Sequence, residues 1–261
     1  MKDFLAIFSP NKILSKSTGS LLVVSQIFLF LMVWYCTNFT FLPSPSETLY
    51  SFGQLWKEGM GAELITSFYL NLQAIGTALL VSLGLAYLSV IPFFRPVISF
   101  FGKLRFLSLA GLTFFFTMAA KSGHELKLYL LVYSISVFFV TSMMDVLDSI
   151  PKVQFDLART LKMGDWRIVW EVIILGQADK VFDCLRQNAA IGWMMLTMIE
   201  GMSRSEGGIG AILLNQNKHF HLSSVMAIQL LILGVGLGQD YVIGVLKSVF
   251  CPYATLTTER K

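Results

Sequence analysis

The feature that most limits this chain is a series of apolar stretches, each near or above the length that crosses a lipid bilayer. They fall at residues 21–36, 65–91, 106–120, 128–144, 185–201 and 222–246. A spanning helix needs about 20 apolar residues, within a range of roughly 17–25. The second stretch is broken only by single polar residues such as Asn71 and Gln73, and the fifth holds Arg186 near its start. Only 14% of the 261 residues are charged, against about 25% in a soluble domain. A chain this short cannot enclose a core large enough to hide the remaining 55% of hydrophobic residues from water. The expectation is an all-α integral membrane protein with about six transmembrane helices. A lead occupies 1–20, a single transmembrane domain 21–250 with a cytoplasmic loop at about 145–183, and a tail 251–261. No small-residue cleavage pattern follows the first stretch, which reads as a retained anchor.

Lys and Arg divide unevenly among the connecting segments. With the N-terminus inside, the four cytoplasmic segments hold three, three, six and three of them, fifteen of the twenty. The outer segments hold Lys57, Lys121, Lys127, Arg204 and Lys218. Cytoplasmic loops carry such an excess, so both termini are expected in the cytoplasm of a multi-pass protein of the cell (inner) membrane. The net charge of +4 follows from that asymmetry and does not point to nucleic acid.

The long cytoplasmic segment is too polar to span and too patterned to be a plain linker. Ser149 is placed to cap a helix that carries Pro151 in its first turn, where proline is tolerated. Val153, Leu157 and Leu161 recur every four residues and give one apolar stripe, with Lys152, Asp156, Arg159 and Lys162 on the other faces. Gly164 suits the left-handed conformation that ends a helix, and Asp165 suits the cap of a second helix at 166–175. Such a helix pair either closes the mouth of the bundle or docks into a groove on a soluble partner.

The run Asp156-Leu157-Ala158-Arg159-Thr160-Leu161, followed shortly by a glycine, resembles the cytoplasmic loop of binding-protein-dependent ABC importer permeases, which reads Glu-Ala-Ala, three residues, then Gly. Leu42-Pro43-Ser44-Pro45-Ser46-Glu47 and Leu185-Arg186…Ala189…Gly192-Trp193…Glu200…Gly208-Ile209-Gly210 are similar to the nitrate/sulfonate/taurine-type branch, as is Gly238-Gln239-Asp240 with Pro252 beyond. Against the family pattern, Asp156 replaces Glu, Lys162 stands at the glycine position with Gly164 two residues later, and Leu175-Gly176 replaces the closing Leu-Pro. The resemblance implies a type I importer permease (MetI-like) architecture, two permease chains forming a homodimer, and a cytoplasmic ABC ATPase docked on the loop. The docking residues it implies are Asp156, Leu157, Ala158, Arg159, Leu161, Lys162 and Gly164, within cytoplasmic helices at 152–175. It also implies an extracytoplasmic binding protein that delivers a small anion such as nitrate, a sulfonate, taurine or bicarbonate. In that arrangement the outer loop at Gly207, Gly208 and Gly210 meets the binding protein.

The sequence holds no phosphate-binding loop, because glycine precedes none of its Lys-Ser pairs. Energy is therefore expected from a partner chain, and this chain is expected to perform no covalent chemistry. Cys36, Cys184 and Cys251 are scattered, and His219 and His221 lack a third ligand; no metal or cofactor is expected. Glu200 and Asp240 fall inside or at the edge of apolar stretches, where charge is costly, and are candidates for pathway or gating roles. In an alternative reading, a six-span secondary carrier independent of ATP, they would relay protons. Gly234, Gly236 and Gly238, with Gly76 and Gly84, are expected to allow close helix packing or bending.

Overall fold

The computed structural model describes residues 16–36, 42–203 and 206–253, and every regular element among them is helical. In chain order the helices are α1 (Lys16–Cys36), α2 (Pro45–Lys57), α3 (Met60–Leu88), α4 (Arg95–Lys103), α5 (Leu109–Ala119), α6 (Gly123–Asp148), α7 (Lys152–Thr160), α8 (Asp165–Ile168), α9 (Ala178–Met202), α10 (Ile209–Lys218) and α11 (Leu222–Phe250). Most of the expected lead and tail lie outside the described residues, and 16–20 already belong to α1.

Four helices, α1, α3, α6 and α11, are long and apolar enough to cross a membrane, and a fifth span exists if the bent pair of α4 and α5 counts as one. The third apolar stretch becomes the eleven-residue α5, about 16 Å long at 1.5 Å per residue. That is short of the roughly 30 Å of hydrocarbon. It meets the preceding helical segment at 111°. The fifth stretch forms α9, which has 25 residues but carries Asp179, Lys180, Asp183, Arg186 and Glu200. Its place is central, against α3, α6, α10 and α11.

Helices in lipid gain little from hydrophobicity and associate through close van der Waals contact between small residues. On α3, Ala74, Ala78, Ser82 and Ala86 recur at four-residue intervals and are all fully buried. This narrow stripe lets α6 approach closely, and α3–α6 is the most extensive helix pair. Ser82 Oγ donates to the Ser136 carbonyl of α6 at 3.3 Å. The main cluster adds Leu131 and Ile135 of α6 and Ala189, Trp193, Leu196 and Ile199 of α9. Of the glycines expected to allow close packing or bending, Gly236 faces Trp193, whose ring a Cβ would meet at 3.8 Å, whereas a Cβ on Gly76, Gly84, Gly234 or Gly238 would meet nothing within 4 Å.

The proline-containing segment after α1 also holds more order than an irregular connection. Pro45 begins α2, and Ser44 caps it in a reciprocal box. The Ser44 hydroxyl accepts the Glu47 amide at 3.3 Å, and the Glu47 carboxylate accepts the Ser44 amide at 3.1 Å. In contrast α1 has no buried residue in its most apolar window, and Trp34 near its end donates to the Pro43 carbonyl at 3.1 Å.

Candidate functional site: a short helix pair, a clamped loop and a charged cavity

The segment expected to be cytoplasmic folds as two short helices, with three departures from expectation. Ser149 closes α6 and does not start α7: its hydroxyl donates to the Val146 carbonyl at 2.7 Å, while Pro151 stands at the N-cap of α7. The left-handed residue is Lys162, at φ 56, and not Gly164, which is extended at φ −71 and ψ 157. Gly164, not Asp165, then occupies the N-cap of α8. Lys162 N–H donates to the Arg159 carbonyl at 2.9 Å and Met163 N–H to the Ala158 carbonyl at 3.2 Å. Together these form the paired termination that normally takes glycine at its left-handed position. The resemblance puts the family's glycine at this same residue.

On α7, Ala158 is buried, whereas Val153, Leu157 and Leu161 are 73%, 61% and 62% exposed. Trp166 and Trp170 extend the exposed apolar surface. Asp156 and Arg159 pair at 3.5 Å on the solvent side. Beyond α8, Val169–Leu175 winds more widely than an α-helix and ends where Gly176 N–H reaches the Glu171 carbonyl at 3.0 Å. A Cβ at Gly176 would lie 2.5 Å from the Val172 carbonyl oxygen, which accounts for glycine there.

At the opposite end of the bundle, the loop 207–210 is clamped from beneath by buried polar groups. Glu200 of α9 is 1% exposed. Its Oε1 accepts the Ser67 hydroxyl at 2.6 Å and its Oε2 accepts the Gly210 amide at 2.9 Å. Ser67 Oγ in turn accepts the Ile209 amide at 2.9 Å, and Glu63 accepts the Gly208 amide at 2.5 Å. Lys127, also buried, donates to the Gly207 carbonyl at 2.8 Å. Two carboxylates thus satisfy amides at the start of α10, where a helix has unpaired N–H groups and positive potential. Gly208 has φ 108, and a Cβ on it would lie 2.4 Å from the Glu200 carboxyl carbon; one on Gly210 would lie 2.3 Å from the Thr197 carbonyl oxygen. Gly208 and Gly210 are buried and Gly207 is partly exposed, so packing alone requires small residues at these positions. Glu63, Ser67 and Lys127 are not marked by any local motif. Only the single lysine ahead of the apolar 128–144 stretch hints at the cluster.

Between these ends, α9 and α11 run antiparallel and are joined by charge. Arg186 Nε and Nη2 donate to the two oxygens of Asp240 at 2.8 and 2.5 Å. Arg186 therefore forks onto a carboxylate across the helix pair. Nearer the start of α9 and the end of α11, Lys247 pairs with Asp183 at 2.6 Å and the rings of Phe182 and Phe250 stack at 6.1 Å. One step deeper, Gln239 Oε1 accepts Trp193 Nε1–H at 2.7 Å and Asn71 Nδ2–H at 3.2 Å. Arg186, Trp193, Thr197, Gln229, Gly236 and Asp240 all line a cavity of about 480 Å³ open to one side of α9 and α11.

The two candidate carboxylates are not brought together. Arg186 and Glu200 share α9, about 21 Å apart along its axis, and Asp240 sits at the Arg186 level. The chain matches no protein-family model, and no curated protein is similar to it.

Proposed function

We propose that this chain is the permease subunit of an ATP-driven, binding-protein-dependent importer for a small anion. In this reading α9 and the α4–α5 pair complete six spans, both termini lie in the cytoplasm of the cell membrane, and two copies assemble around one path. An ABC ATPase docks on α7 and α8, and an extracytoplasmic binding protein approaches the end where 207–210 lies. The observation that carries the reading is the cytoplasmic helix pair. Its apolar stripe points away from the bundle, with Leu157 and Leu161 both more than 60% exposed, and its left-handed turn falls on the residue where the resembling family has glycine. Amphipathic helices presented this way fill grooves on partner proteins. A helix that merely closed the bundle would turn that stripe inward.

The carrier alternative has less support. Glu200 is held between two donors, and about 21 Å of helix separates it from the level of Asp240.

The test is Leu157→Asp. A charge on the docking stripe would be buried without a partner on association, at a cost of several kcal/mol. Co-purification with an ABC ATPase and ATP-dependent uptake should both be lost, while membrane insertion persists. Unchanged co-purification refutes the assignment. Proton-driven uptake by the purified chain in vesicles, without any ATPase, would establish the carrier instead.

A further inference from the structure

The geometry points to Arg186 as the residue that receives the anionic group of a passing solute, with Asp240 as the resident carboxylate that the solute displaces. This rests on the reading that the face of α9 and α11 lines the path.

The pair is unusual in its placement. Both side chains are 41% exposed, toward the cavity that they line. Arg186 stands at the start of the apolar stretch 185–201, and Asp240 lies about 9 Å inside the end of 222–246. Exposure of this pair to hydrocarbon would be costly. The face therefore borders water or another protein surface.

A guanidinium has five N–H donors in one plane. Asp240 uses one from Nε and one from Nη2, and no other acceptor for Arg186 is present among the described residues. The edge formed by Nη1 and the second Nη2 hydrogen thus remains open. It is a fork of the same shape as the one Asp240 occupies, and it suits any centre that bears two oxygens: carboxylate, nitrate, bicarbonate or sulfonate. The anion first meets this free edge, and Asp240 then competes with it for the same cation. Because Asp240 keeps the site neutral when empty, an anion is attracted without being trapped, as a transport path requires. Trp193, Thr197 and Gln229 give the rest of the wall a mixed apolar and hydrogen-bonding character, suited to a small organic anion.

The experiment uses the full chain with Cys36→Ser, since Cys184 and Cys251 are buried, in phosphatidylcholine vesicles. Met194 and Leu237, both lining the cavity and exposed, are replaced singly by Cys and labelled with a cationic methanethiosulfonate. Methanesulfonate serves as the probe anion. Labelling should proceed and be slowed by the probe. Asp240→Asn should lower the half-protecting concentration roughly tenfold, because the competing carboxylate is gone. The neutral pair Arg186→Gln with Asp240→Asn should remove protection while labelling continues, which shows that the fold is intact. Equal protection in all three backgrounds overturns the proposal, as does protection that comes only from added phosphatidylglycerol, which would make the occupant a lipid headgroup. No labelling at either position overturns the path reading itself; labelling without protection overturns only the anion site.

Discussion

Glu200 and Gly208 are so close that a methyl group on the glycine would lie 2.4 Å from the carboxyl carbon, and each fixes the other's identity. The carboxylate needs the amide-rich turn for its donors, and the turn needs a residue without a side chain to reach the carboxylate. Glu200→Ala should leave the Ser67 hydroxyl and Gly210 amide without their acceptor, at a cost of about 3 kcal/mol. Glu200→Gln keeps one acceptor and should cost about 1–2 kcal/mol. Thermal unfolding in detergent should rank wild type above Gln above Ala.

Gly208→Ala should be at least as damaging as Glu200→Ala, since it adds backbone strain at φ 108 to the clash. Gly234→Ala is the contrasting case. Its Cβ would meet nothing within 4 Å, and alanine is the better helix former by up to about 1 kcal/mol. Its stability in the isolated chain should be unchanged or higher.

Lys162→Gly should relieve the left-handed strain of a side-chain-bearing residue, by about 1 kcal/mol less the entropy of the freed unfolded chain. The readout is hydrogen exchange at the Met163 amide, which bonds to Ala158 and should exchange more slowly. Gly164→Ala should be neutral, because Gly164 is extended and its Cβ would find open space. A large loss at Gly164 with none at Lys162 would contradict this termination.

Reporter fusions decide the number of spans. The six-span proposal requires residues 55, 125 and 210 on the outer side and 98, 165 and 258 in the cytoplasm. A cytoplasmic signal at 125 would mean that α4 and α5 form a re-entrant pair, as their 111° bend also permits.

Much of the fold was legible because apolar length is a direct consequence of the solvent: the stretches at 128–144 and 222–246 lie within α6 and α11, and 65–91 overruns the end of α3 by three residues. Sites were less legible where the deciding contact is remote. Glu63 and Ser67 reach loop 207–210 across more than 140 residues of sequence, so nothing nearby marks them. The ends of α7 show a different limit. Local preference favoured Gly164 for the left-handed turn, yet the buried side of α7 ends at Ala158 and the chain turns two residues earlier, forcing Lys162 into it. In the same way nothing near Arg186 in the sequence marks Asp240, 54 residues later on the facing helix, as its partner. The box of Ser44 and Glu47, by contrast, was written openly in the sequence and is a local signal that the two prolines obscured.

The exposure of α1 bears on how the protein is made. A helix whose most apolar window has no buried residue can enter the bilayer and settle before any later helix has left the ribosome. The first helix usually dominates the orientation of those that follow. The direction in which the whole bundle is threaded is then chosen at biogenesis by a segment that adds almost nothing to the bundle's eventual cohesion.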